Sequence, residues 1–364
     1  MSDVAPSPRV AGPGEIGDPS GARKATGRAA DATRSSRMPL VLAGLTVALV
    51  LSVGVSLFVG AEAIAPSRVF SALFGHSDRE AELLVSTYRM PRTLVAITVG
   101  AALGVAGGLI QAYTRNPLAD PGILGVNAGA ALGVTLAIWG GLSFTIGSLV
   151  WPALVGAFVA TVAVLLLSAS GRGPATPVRM TLSGVALAAV LSGITTSIRL
   201  ADPRTFDRFR SWVAGSVAGR SLDDLAAVAP YLVVGLVLAL VLLRPLNAIA
   251  LGEDLAASLG VNTRRTRLLT IVAVTLLVGA STAVAGPISF LGLMVPHICR
   301  LLIGNDHTRI IPMSMLVAPV VLLVADTVAR VIIPLREIPV GIMTAFIGAP
   351  VLIWLVSGRK VNTQ

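Results

Sequence analysis

The sequence predicts an all-α polytopic membrane protein with about ten transmembrane helices. Hydrophobic residues make up 54% of the 364-residue chain and charged residues only 13%, with a mean hydropathy of +0.85. A soluble chain needs more charge than that to cover its surface. From Pro39 to Val356 apolar stretches recur, many of them free of charge for close to the ~20 residues that cross ~30 Å of hydrocarbon as a helix. Within this frame the net charge of +10 does not point to nucleic acid. All but Lys24 and Lys360 of the 28 basic residues are arginines, and the single cysteine, Cys299, excludes a disulfide within the chain.

Residues 1–38 are rich in Pro, Gly, Ser, Ala and Arg and hold too few bulky apolar side chains to bury a core, so they are expected to form a disordered cytoplasmic tail. The transmembrane domain is expected over 39–358, with a second short cytoplasmic tail at 359–364. Spans are expected near 39–60, 93–112, 122–140, 146–168, 180–199, 226–243, 267–285, 287–303, 309–332 and 338–356. The first is too long an apolar run for the ~7–15 residues of a signal peptide. With the N-terminus inside, 17 basic residues fall on the cytoplasmic side and 11 outside, which favours cytoplasmic termini. Without the tail the count is 11 against 11, so the outer arginines call for a reason of their own.

Val99–Gly107 (VGAALGVAG) and Val278–Gly286 (VGASTAVAG) agree at six of nine positions. Five spans separate them, so the echo predicts an inverted repeat of spans 2–5 and 7–10. Between spans six and seven, Leu251, Leu255, Ala256 and Leu259 share one helical face, with Glu253 and Asp254 opposite. A short amphipathic helix is expected from Ile249 to Leu259. Such a helix docks into a partner's groove or lies on lipid. Asp326 and Arg330, four residues apart, can pair on one face of span nine. A carboxylate there is either a structural partner or a proton site. His297 and Cys299 are two residues apart, share no helix face, and are read as structural rather than metal-ligating.

The longest motif is RMPR (89–92), then GAALGVAGGLIQ (100–111) and TRNPLADPGILGVNAGAALG (114–133). Together with PVRMTLSGVALAAVLSGITT (177–196), LNAIALGEDLAASLGV (246–261), AVAGPISFLGLMVPHICRLLIGNDHTRIIP (283–312) and EIPVGIMTAFIGAPVLIWLV (337–356), it resembles the FecCD-type permease subunits of binding-protein-dependent ABC importers. Members of that family move iron–siderophores, haem or cobalamin. The resemblance runs along nearly all of the chain beyond the tail, and within the family it is most like ferric-enterobactin permease subunits. It implies a type II ABC importer permease of ten spans in the cytoplasmic (inner) membrane, carrying a ferric siderophore of the catecholate type. The partners implied are a second permease subunit (a paralogue or a second copy), an ABC ATPase dimer and an extracytoplasmic substrate-binding protein.

The chain has no GxxxxGK[ST] loop. It is therefore not expected to be an enzyme or to hold a cofactor, and ATP and Mg would sit on the partner ATPase. By resemblance the loop at about 247–262 couples to that ATPase, through Leu251, Gly252, Glu253, Leu255, Leu259 and Gly260. The resemblance also implies that Arg89, Arg92 and Arg330 dock the binding protein. The hydroxyl-rich span five and the small residues of span ten suggest a translocation path through Ser192, Thr195, Thr196, Thr344 and Gly348; the same residues would also suit tight helix packing. The rival readings are a proton-coupled secondary transporter using Asp326, which would need no ATPase, and the same importer class carrying cobalamin or haem. An intramembrane enzyme would need a catalytic constellation that this sequence does not offer.

Overall fold

The computed structural model describes residues 19–60, 62, 64–74, 79–142, 146–170, 176–333 and 336–357. Ten apolar helices occupy the expected spans in order: α1 (Pro19–Phe58), α2 (Met90–Thr114), α3 (Val126–Trp139), α4 (Ile146–Ala169), α5 (Pro177–Ala201), α6 (Leu222–Val241), α7 (Thr263–Ala285), α8 (Leu291–Ile303), α9 (His307–Val331) and α10 (Val340–Ser357). Seven are long and apolar enough to cross a membrane, whereas α3, α8 and α10 are shorter. α1 extends back to Pro19, so the segment 19–38, expected as unordered tail, is helical; residues 1–18 and the tail 359–364 lie outside the described residues.

The helix starts follow from capping chemistry. Thr176 Oγ1 accepts from Arg179 N ahead of α5, Asn262 Oδ1 from Arg265 N ahead of α7, and Asp306 Oδ1 from Thr308 N ahead of α9. Ser221 and Asp224 form a reciprocal capping box on α6. Each of these satisfies donors that a helix leaves unpaired. α8 begins four residues later than expected, because the chain at Gly286–Phe290 is not helical: Gly286 and Phe290 both adopt positive φ.

α2 and α7 form the centre, each with 78% of its most apolar stretch buried. α2 packs against α7, α8 and α9. The approach to α8 is a backbone contact: a Cβ placed on Gly107 would lie 1.8 Å from the Gly292 carbonyl oxygen. Only hydrogen fits there, which is the use lipid-embedded bundles make of glycine. Each central helix is followed by a short one, α3 after α2 and α8 after α7, in keeping with the repeat expected between the halves.

Candidate functional site

The ends of the bundle carry two clusters of polar side chains. At one end, the C-terminus of α1, a π-helical turn at Leu83–Arg89, the start of α2 and the end of α9 converge. Asp326 is 1% exposed and its carboxylate is held on both oxygens. Oδ1 accepts from Arg92 Nη2 at 2.8 Å, and Oδ2 accepts from Arg92 Nε at 2.9 Å and Arg330 Nε at 3.0 Å, with Arg330 Nη2 also in contact. Arg92 Nη1 donates to Glu337 Oε2 at 2.6 Å.

Arg330 also donates from Nη1 to the carbonyls of Ser56 (2.8 Å) and Val59 (3.2 Å). Arg89 donates to the carbonyls of Leu57 (2.9 Å), Phe58 (3.1 Å) and Glu62 (2.6 Å). Two guanidiniums thus satisfy the carbonyls that the C-terminus of α1 leaves without partners, where positive charge is favoured by the helix dipole.

The three arginines expected as an exposed dock are therefore together but turned inward: Arg89 is 6%, Arg92 8% and Arg330 2% exposed. They line a recess of about 490 Å³ with Glu62, Tyr88, Gly219 and Glu337. Arg92 and Arg330 already have carboxylate partners, and among the described residues the Arg89 guanidinium bonds only to main-chain oxygens. Any acidic group arriving from outside meets a recess, not a flat basic surface. Asp326 pairs not with Arg330 alone but with Arg92 as well, across 234 residues of sequence. With both oxygens occupied and the group shut from solvent, it lacks the access to water that a proton carrier needs.

At the other end, the segment expected as one amphipathic helix is two, Leu243–Ala250 and Glu253–Ser258, broken at Gly252. Gly252 has φ +131, a conformation L-residues rarely adopt. The break directs Leu246 and Ile249 inward while Leu251 (68%), Leu255 (48%) and Leu259 (63%) stay exposed; Ala256, expected on the same face, is fully buried. Glu253 Oε1 accepts from Arg267 Nη2 of α7 at 3.2 Å and lies 3.9 Å from Arg115 Nη2, just past α2. Gly260, at φ +79, closes the second helix with nothing within 4 Å.

The profile of the FecCD transport family matches residues 39–358. The chain belongs to that family. It is 45% identical over 326 residues to the ferric enterobactin transport system permease protein FepD of Escherichia coli (strain K12), covering 89% of this chain and 96% of that protein. It is 39% identical over 329 residues to the Fe(3+)-citrate import system permease protein YfmD of Bacillus subtilis (strain 168), covering 90% and 97%. An inward-facing, metal-chelate type ABC transporter superposes with a TM-score of 0.79 at 31% identity, over 88% of this chain and 99% of that one. The FecCD chain is accordingly an integral membrane protein with the fold of a type II ABC permease.

The residues expected to line a path in this FecCD chain divide into two groups. On α5, Ser192 is exposed and Thr196 half-buried, its hydroxyl accepting from Arg199 Nη2 at 3.1 Å. Thr195 faces inward. On α10, Thr344 is buried and donates to the Gly341 carbonyl at 3.0 Å, while a Cβ on Gly348 would come within 2.3 Å of Phe290 Cβ. Those α10 positions serve helix packing within the chain. Sequence reasoning missed Ser56, Glu337 and Gln111. Gln111 is buried among apolar residues; its Nε2 donates to the Leu293 carbonyl at 3.2 Å and its Oε1 accepts from Arg300 Nη2 at 2.6 Å. A lone amide inside GGLIQAY was the signal.

Proposed function

We propose that this chain is a permease subunit that imports a ferric siderophore of the catecholate type across the inner membrane, driven by ATP hydrolysed on a separate subunit. The observation that carries the reading is the 45% identity to the ferric enterobactin permease, spread over nearly the whole of both chains. The geometry supports the ATP-driven mechanism. Leu255 and Leu259, with Leu251 just before the break, are exposed apolar side chains of the kind that seat in a partner's groove, and Glu253 ties their helix to α7 through Arg267. In this reading that end and both termini are cytoplasmic, and the face meets the ATPase.

The recess lined by Arg89, Arg92 and Arg330 lies on the outer side, where an acidic side chain of the substrate-binding protein enters. A second permease, a paralogue or another copy, faces this one across the path, and the hydroxyl-bearing surface of α5 at Ser192 and Thr196 lines that path. The test is uptake of ferric enterobactin by proteoliposomes holding both permeases, the ATPase and the binding protein. Uptake should stop with vanadate and persist with a protonophore. Uptake that ignores vanadate and collapses with the protonophore would overturn the ATP-driven reading.

A further inference from the structure

Four side chains join the exposed leucine face to the start of α5. Glu253, on the short helix that carries Leu255, accepts from Arg267 Nη2 at 3.2 Å. The Arg267 guanidinium lies over the Tyr113 ring, 5.9 Å from its centroid. Tyr113, at the end of α2, donates its hydroxyl to Met180 Sδ at 3.0 Å. Met180 is in the first turn of α5. The contacts cross from the short helix to α7, α2 and α5 in sequence.

These contacts have an unusual setting. The most apolar stretch of α5 is only 11% buried; within this chain it packs on α3 and α4 and meets the turn before α3 at Gly184, where an added Cβ would lie 1.8 Å from the Ile123 carbonyl oxygen. Ser192, Gly193 and Ile194 in its middle are all exposed, and a Cβ on Gly193 would meet nothing within 4 Å. Tyr113 and Met180 are 5% and 2% exposed, so neither touches a partner. Their effect on transport has to pass through the chain itself.

We propose that Tyr113 and Met180 are positioning residues that transmit displacement of the Glu253–Ser258 helix to α5, with Glu253 and Arg267 as the input. The inference rests on the ATP-driven reading above. When the ATPase shifts the short helix, Glu253 carries Arg267 with it. The guanidinium moves over the face of Tyr113, and the phenol shifts against the thioether. Cation–π and sulfur contacts are individually weak. They matter here because Tyr113–Met180 is a polar tie between α2 and the base of α5.

The experiment uses the assembled transporter in proteoliposomes, with Tyr113→Leu and Met180→Leu, singly and together. The reporter is Ser192→Cys in a Cys299→Ala background, labelled by a water-soluble maleimide with and without ATP. Residues in a coupling network alter it by roughly 2- to 30-fold. Each variant should co-purify with the ATPase and hydrolyse ATP at close to the wild-type rate. The ATP-dependent change in labelling should shrink at least about three-fold. The double variant should be no worse than the stronger single one, because both remove one contact chain.

Met180→Leu conserves apolar volume, so it keeps the test open if Tyr113→Leu fails to fold. A labelling response of wild-type size in both singles would overturn the relay. So would hydrolysis and ATPase recovery falling in step with labelling, since that pattern is an assembly defect. A parent complex without any ATP-dependent labelling would overturn the ATP-driven reading, and the relay with it.

Discussion

Replacing Asp326 by Asn tests whether the Arg92–Asp326–Arg330 cluster is a structural clamp or a proton site. The side chain keeps its size and loses its charge. In the native protein the carboxylate takes hydrogen bonds from both Arg92 and Arg330 and is 1% exposed. The variant leaves two guanidiniums facing each other with a neutral amide between them. Removing one partner of a buried ion pair costs ~3–5 kcal/mol. Arg92 retains Glu337, whose side chain is 34% exposed, and Arg330 retains the carbonyls of Ser56 and Val59, so the lower end of the range applies. We expect Asp326→Asn to lose about 3 kcal/mol, and Glu337→Gln, at the half-exposed end of the network, no more than ~1 kcal/mol.

The assay is reversible unfolding in mixed micelles titrated with SDS, followed by fluorescence. Adding Arg330→Gln to Asp326→Asn should recover part of the loss, because the second change removes a charge the first left unpaired. Equal effects below ~1 kcal/mol for Asp326→Asn and Glu337→Gln would refute the clamp. A stable Asp326→Asn protein without transport would restore the proton-carrier reading.

Other expectations follow from single positions. Gly107→Ala should separate α2 from α8 and cost ~1–3 kcal/mol in the same unfolding assay, whereas Gly44→Ala, with nothing within 4 Å of the added Cβ, should be neutral. Gly252→Ala meets open space but a φ of +131, so it should cost ~1–3 kcal/mol of local backbone strain and weaken ATPase co-purification. Leu255→Asp should abolish that co-purification while leaving unfolding unchanged, since the side chain is exposed. The Thr205 hydroxyl, with the backbone N–H groups of Arg204 and Thr205, holds Asp202 below its ordinary pKa of 3.8. Its cap on the helix Pro203–Val213 should be complete above that pH and fail as pH falls below it; proteolysis at Arg204, Arg208 and Arg210 should then increase, and Asp202→Ala should show the increase already at neutral pH.

The helices were legible because lipid imposes one requirement everywhere: each span needs an apolar run, and each run stood out against Arg, Pro and Gly. Their lengths were less so. α8 starts late because Gly286 and Phe290 take positive φ; Gly286-Pro287 is a breaker signal in the sequence, but it does not say where the helix resumes. The break at Gly252 escaped because Leu251, Leu255 and Leu259 keep helical spacing across it. The Asp326–Arg330 pair could be read from its spacing of four. Arg92 as a third member could not, lying 234 residues from Asp326. The sequence marked Arg89, Arg92 and Arg330 as unusual for an outer face, but the exposed dock came from family resemblance. What it could not show was that the carbonyls of α1 and the carboxylates of Asp326 and Glu337 take up these guanidiniums first.

The helices differ in how much of each this chain buries. α2, α7 and α9 have two thirds or more of their most apolar stretches buried, and α2 meets α8 at backbone distance. Displacing one of them opens voids or forces clashes along its whole length. α1 and α5 have only 11% of theirs buried, although α1 lays Met38, Val41, Leu45, Leu49 and Val53 on the core and α5 packs on α3 and α4. α1 is held at its C-terminus by Arg89 and Arg330. α5 is held at its start through Met180 and at its far end by Arg199, whose guanidinium lies 4.5 Å from the Phe209 ring centroid. In the proposed transporter, where Ser192 lines the path, a tilt of α5 would change what that path presents to a passing complex while the more deeply buried α2, α7 and α9 stay in place.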